Sequence, residues 1–142
     1  MKHPKFDKKI NENYYGAPLN KFVSERCKRE MVVNNIDLIF NYYKSKNGLI
    51  RIIESKYLKE SISKGQKILL QKISKKTDIE CFVVFGDYPY EIAFIYSIKT
   101  RNLYKVDESV LISFLNNEIL EHDLMPFFIE HNYKLITVKN YK

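Results

Sequence analysis

At 142 residues with 45% apolar content, the chain suits a single globular domain spanning 1–142, and no apolar run nears the ~20 residues that a membrane span needs. Lys and Arg number 24 against 17 Asp and Glu, and the net charge of +7 favours an anionic polymer as partner. Cys27 and Cys81 are too few for a disulfide scaffold or a zinc site, and the start MKHPKFDKKI is too polar for a secretion signal, so a reducing, cytoplasmic setting is expected.

Residues 1–17 mix basic and aromatic side chains and form a loose arm or a short helix. Pro18 suits the first turn of a helix. Leu19, Phe22, Val23 and Cys27 follow at helical spacing, which carries the helix to about Glu30. Arg26, Lys28 and Arg29 gather at its C-terminal end, where they either complement the helix dipole or contact phosphates.

Two apolar runs come next, Met31–Tyr43 and Leu49–Leu58, around the turn Lys44-Ser45-Lys46-Asn47-Gly48. Their β-branched and aromatic content predicts two buried strands of a hairpin. Each run carries charge where a core has none. The first holds Asp37; the second holds Glu54 and Lys56. Side chains alternate along a strand, so Glu54 and Lys56 share a face and Ser55 takes the other. Folding back at the turn brings Asp37 towards the Glu54 end. Two carboxylates and an ammonium then converge at one end of a sheet. Carboxylates offer hard oxygens to Mg²⁺ and leave places for water and phosphate. A lysine beside them orients or deprotonates a water, or stabilises charge on a phosphate. The bland alternative is an ion pair of Lys56 with Glu54 or Asp37 at a strand end.

Asp37 followed by Glu54-Ser55-Lys56, the only E-x-K in the chain, resembles the signature of the PD-(D/E)xK nuclease superfamily. The likeness covers about residues 18–98; Ile36 stands where many members have proline. The resemblance implies an α/β fold with a restriction-endonuclease-like core, a mixed central sheet flanked by helices. It implies a nuclease dependent on Mg²⁺ or Mn²⁺ that hydrolyses phosphodiester bonds, in DNA before RNA and as an endonuclease. By the same resemblance Asp37, Glu54 and the backbone carbonyl of Ser55 hold the metal, Lys56 acts on the attacking water, and Gln66 supports the site. Several branches add an acid from the first helix. Glu25 and Glu30 are the candidates: at about 100° per residue from Leu19, Glu30 falls in the apolar stripe and Glu25 opposite it. Members often act as homodimers. Two other classes stay open: an inactive nuclease-like or basic nucleic-acid-binding module, and an interaction protein that docks a partner through its tyrosines and basic arm.

A helix is predicted over Ile62–Lys75, with Ser61 or Ser63 as N-cap. Ile62, Gln66, Leu69, Leu70 and Ile73 form its inner stripe. Gln66 is the polar member, either a satisfied amide or a group aimed at the strand end. Lys64 and Lys67, with Lys72, Lys75 and Lys76, line an outer face that meets nucleic acid or solvent. Ile79–Phe85 and Ile92–Ile98 read as third and fourth strands around a turn at Gly86–Pro89, and Asp107 opens another helix. Phe127–Ile129 and Tyr133–Val138 read as extra β-structure. His122 and His131, with Glu121, Asp123 and Glu130, are expected to be surface loop residues rather than a metal site. Tyr14, Tyr15, Tyr42 and Tyr43 are candidates for stacking on bases or anchoring a partner.

Overall fold

The computed structural model describes residues 37–44 and 48–138. They belong to one compact unit of the chain, Ile36–Lys142. The predicted arm with Tyr14 and Tyr15, and the first helix with Glu25, Arg26, Lys28, Arg29 and Glu30, lie outside the described residues.

The elements run β1 (Leu38–Asn41), β2 (Ile50–Lys56), α1 (Lys64–Lys76), β3 (Glu80–Gly86), β4 (Ile92–Ser97), β5 (Leu103–Asp107), α2 (Glu108–Leu115), a 3₁₀ segment (Glu121–Phe127) and β6 (Phe128–Glu130). The six strands form one sheet in sequence order. Each neighbouring pair is antiparallel except β2 and β3. A parallel pair needs a crossover, and α1 is that crossover. The fold is therefore α/β with a mixed sheet.

Alternation along the strands sorts the core into two faces. Ile52, Val83, Phe85, Phe94 and Tyr96 pack with Leu70 of α1 and with Leu135 and Val138. Ile53, Phe82, Val84, Ile95, Tyr104 and Val106 pack with Leu111 and Phe114 of α2 and with Leu124. Strands β3 and β4 are buried along nearly their whole length, as strands covered on both faces must be.

Two expectations are corrected. β1 is not a buried strand: it is the sheet edge, and Asp37, Leu38 and Ile39 are all exposed. An aspartate there needs no burial to be offset. Tyr133–Val138 is not a strand either. It contributes one bridge, Ser61 to Thr137, and the Ile136 carbonyl accepts from the Ile62 N–H at 2.8 Å. Its apolar content is explained by Leu135 and Val138, which are fully buried. The tail fastens the link that leads into α1.

The other face holds a buried cation. Arg51 is 1% exposed. Its Nε donates to Glu80 Oε1 at 2.8 Å and its Nη1 to the Phe114 carbonyl at 2.7 Å. Tyr42 Oη donates to the neighbouring Leu115 carbonyl at 2.7 Å. Both carbonyls belong to the C-terminal end of α2, where the Phe114 carbonyl also accepts from the Asn117 N–H at 3.1 Å. Arg51 also lies over the Phe114 ring, 4.4 Å from its centroid.

Candidate carboxylate site at the end of the parallel strands

The register of the β1–β2 hairpin decides where the acids meet. Leu38 pairs with Ile53, and one further step of the antiparallel ladder sets Asp37 opposite Glu54. Asp37 Oδ2 accepts a hydrogen bond from the Ser55 N–H at 3.0 Å, which pins the aspartate to the end of β2. Glu54 pairs in register with Val83 and is 3% exposed. The hairpin thus brings together the acids that the sequence singled out. Asp37 stands at the exposed edge and Glu54 is buried beside it.

Gln66 joins them from α1. Ser63 is the N-cap: its Oγ accepts from the Gln66 N–H at 3.1 Å, and Gln66 Oε1 accepts in return from the Ser63 N–H at 3.4 Å. This reciprocal box fixes the start of the helix. It also sets the rotamer of Gln66, whose Nε2 donates to Glu54 Oε2 at 3.0 Å. One side chain therefore caps the helix and orients the buried carboxylate.

Glu54 Oε1 has no hydrogen-bond partner among the described residues. Asp37, when ionised, offers only acceptors, so it leaves that need unmet. The electrostatics follow. Burial pushes the Glu54 carboxyl up, sharing a proton with Asp37 and the Asp37 charge add to this, and Glu60 contributes a little more; Lys56 opposes them. The net result is a pKa raised from 4.5 to about 8. A buried carboxylate oxygen with no donor, facing a second carboxylate, is a site that gains from a cation.

Lys56 lies two residues from Glu54 on the same face of β2 and is half-buried. Among the described residues it makes no ion pair with Asp37 or Glu54. The simple ion-pair reading of the lysine is therefore not what the geometry presents. The ammonium is near enough to lower the Glu54 pKa without forming an ion pair with it.

Two more acids at this end were not singled out in the sequence. Glu60 Oε1 accepts from the Tyr57 N–H at 2.7 Å, and Asp87 Oδ1 from the Leu58 N–H at 3.0 Å. They hold the turn after Lys56 against the end of β3. A Cβ at Gly86 would stand 2.6 Å from Cδ1 of Tyr90, so any larger residue would push the Tyr90 ring aside. An acid just past the end of the strand parallel to β2 was the available signal. Lys64 and Lys67 sit in the first turn of α1, next to Gln66, while Lys75 and Lys76 are in its last turn.

The histidines do not come together. His131 Nδ1 bonds Asn102 Oδ1 at 2.6 Å, while His122 pairs at the surface with Asp123 at 3.3 Å. No cluster of three or more His, Cys, Asp or Glu suited to a metal occurs among the described residues, so the carboxylate site offers two such side chains. No helix among the described residues is long and apolar enough to cross a membrane. No family model, curated protein or solved structure matches the chain.

Proposed function

We propose that the protein is a metal-dependent nuclease of the PD-(D/E)xK type, acting on phosphodiester bonds of DNA, with a restriction-endonuclease-like core. The observation that carries this reading is the buried Oε1 of Glu54, without a hydrogen-bond partner among the described residues and beside the exposed Asp37 carboxylate. Hard oxygen donors of this kind suit Mg²⁺ or Mn²⁺. Asp37 and Glu54 would hold the ion, with the Ser55 carbonyl as a third oxygen. Bound there, the ion would polarise the phosphate and neutralise charge that develops on it.

The chain's own residues do the rest. Gln66 holds Glu54 in one orientation, so its free oxygen keeps facing Asp37. The Ser55 N–H does the same for Asp37. Lys56, on the same face and without an ion pair to either acid among the described residues, is placed to orient the attacking water. The basic balance of the chain supplies long-range attraction for the polyanion.

The test is incubation with linear, circular, single-stranded and four-way-junction DNA, and with RNA, in Mg²⁺, Mn²⁺ or EDTA. Cleavage of DNA with either metal and none with EDTA is the expected result. Binding without cleavage under every condition would place the chain among inactive nucleic-acid-binding modules instead.

A further inference from the structure

We propose that Tyr57 and Tyr88 form a stacking platform for unpaired nucleobases of the strand held at the carboxylate pair, so that the protein takes single-stranded nucleic acid in preference to continuous duplex. The proposal rests on the nuclease reading and names the form of its substrate.

β2 and β3 are the parallel pair of the sheet, and their carboxyl ends lie side by side, with Lys56 opposite Phe85. Open α/β sheets bind their ligands outside the carboxyl ends of such strands. Each of the two strands leaves that end through a tight turn. After β2, the Glu60 N–H donates to the Tyr57 carbonyl at 3.0 Å, and the Glu60 carboxylate accepts from the Tyr57 N–H at 2.7 Å. After β3, the Tyr90 N–H donates to the Asp87 carbonyl at 2.7 Å, and the Tyr90 ring lies over Gly86. The Leu58 N–H donates to Asp87 Oδ1 at 3.0 Å and stitches one turn to the other.

Each turn puts forward one tyrosine. Tyr57, next after Lys56, is 60% exposed, and Tyr88, at 88%, is the most exposed large apolar side chain among the described residues. Neither ring has an aromatic or cationic partner among them. Turns favour small polar residues, and a ring left in water adds nothing to the core. A tyrosine on a fixed turn does offer a ligand a large, flat contact with little left to order. Every base has a π-face that such a ring can cover, whatever the sequence. In continuous duplex those faces are covered by neighbouring base pairs, so the platform selects unpaired bases. The hairpin tyrosines are less suited. Tyr42 donates to the Leu115 carbonyl and lies against Arg51, and Tyr43 stands past the end of β1 away from Asp37.

The experiment separates base stacking from phosphate attraction. Binding is read by fluorescence anisotropy in Ca²⁺, which takes carboxylate oxygens, with three labelled probes of equal length: a single strand, the same strand with abasic sites, and a duplex. Melting curves verify folding. Tyr57→Ala and Tyr88→Ala should each bind the single strand about tenfold more weakly than wild type, the scale of one stacked base. Both should bind the duplex and the abasic strand to within about twofold of wild type, with an unchanged salt slope, because the phosphate contacts remain. Tyr88→Phe should keep the wild-type affinity. Equal losses on the normal and abasic strands, or no loss on either, would overturn the platform while leaving the nuclease reading standing. A loss confined to one variant would overturn a platform made of two rings. The expected losses without cleavage in Mg²⁺ or Mn²⁺ would overturn the nuclease reading and leave the platform. Failure of the wild type to bind any nucleic acid would overturn both. Should an alanine variant not fold, leucine at the same position replaces it, and wild-type affinity of the leucine variant for the single strand would overturn stacking.

Discussion

Without metal, the protein should lose stability as the pH rises from 5 to 8, and Glu54 should be the cause. A carboxyl whose pKa is higher folded than unfolded holds its proton more tightly in the folded state. That contribution is complete below the unfolded value and disappears as the pH rises through the folded one. For Glu54 the window runs from 4.5 to about 8. At about 1.4 kcal/mol per pH unit, the ceiling is on the order of 5 kcal/mol. Water entering the exposed Asp37 side will reduce this, so a loss of about 2–4 kcal/mol is expected, against a typical total of about 5–15 kcal/mol. Glu54→Gln removes the titrating group and keeps an acceptor for Gln66. It should be more stable than wild type at pH 8 and show little dependence on pH across this range. The assay is urea unfolding in EDTA at pH 5, 6, 7 and 8 for both proteins. With a slope of about 1–3 kcal/mol per molar urea, the wild-type midpoint should move by roughly 1–2 M. Parallel pH curves for wild type and Glu54→Gln would refute the reasoning, because the repulsion would then not reside at Glu54.

Lys56→Ala should keep DNA binding to within a few-fold and lose at least about a hundredfold in turnover, as for a lost water-positioning group; Lys56→Arg should rescue almost none of it, since a wide planar fork cannot take the place of a compact ammonium. Turnover near wild type in Lys56→Ala would remove the lysine from the chemistry. Gln66→Leu should cost about 1–3 kcal/mol by leaving Glu54 Oε2 without its donor, and should raise the metal concentration needed for half-maximal cleavage; an unchanged metal requirement would contradict its orienting role. Arg51→Ala should destabilise the fold by about 1.5–3 kcal/mol, because the Phe114 carbonyl loses a charged donor, while Glu80, whose side chain is 39% exposed, can turn to water, and equilibrium unfolding reads this directly. DNA affinity should fall with salt by about 0.9 log units per log unit for each phosphate contacted on a duplex, and a flat dependence would argue against nucleic acid as partner.

The candidate site was legible because its spacing is local. One hairpin carries Asp37, Glu54 and Lys56, strand alternation puts the last two on one face, and the helix stripe includes Gln66. Strand order was not legible. Nothing in the β1 residues distinguishes an edge from a centre, since Leu38 and Ile39 are as apolar as buried strand residues, yet both are exposed. β5 was not anticipated either. Leu103 and Tyr104 are both buried on successive positions while Lys105 is exposed, which breaks the alternation that marks a half-covered strand. Arg51 interrupts an apolar run. Its partners, Glu80 and the end of α2, are remote in sequence, so tertiary contacts alone explain it. Asp87 went unremarked for a similar reason: it reaches the Leu58 N–H only once β2 and β3 lie side by side.

The central claim is that Asp37 and Glu54 make one cation site that drives phosphodiester cleavage. The most direct measurement is Asp37→Asn, followed in one preparation by Mn²⁺ titration calorimetry and by DNA cleavage in Mg²⁺. Asp37 is exposed and held by the Ser55 N–H, which the amide oxygen of asparagine also satisfies, so the fold should survive. The account predicts that the variant melts at least as high as wild type in EDTA, loses measurable Mn²⁺ binding, and cleaves no DNA. A folded Asp37→Asn that still binds Mn²⁺ and cleaves at the wild-type rate would contradict it.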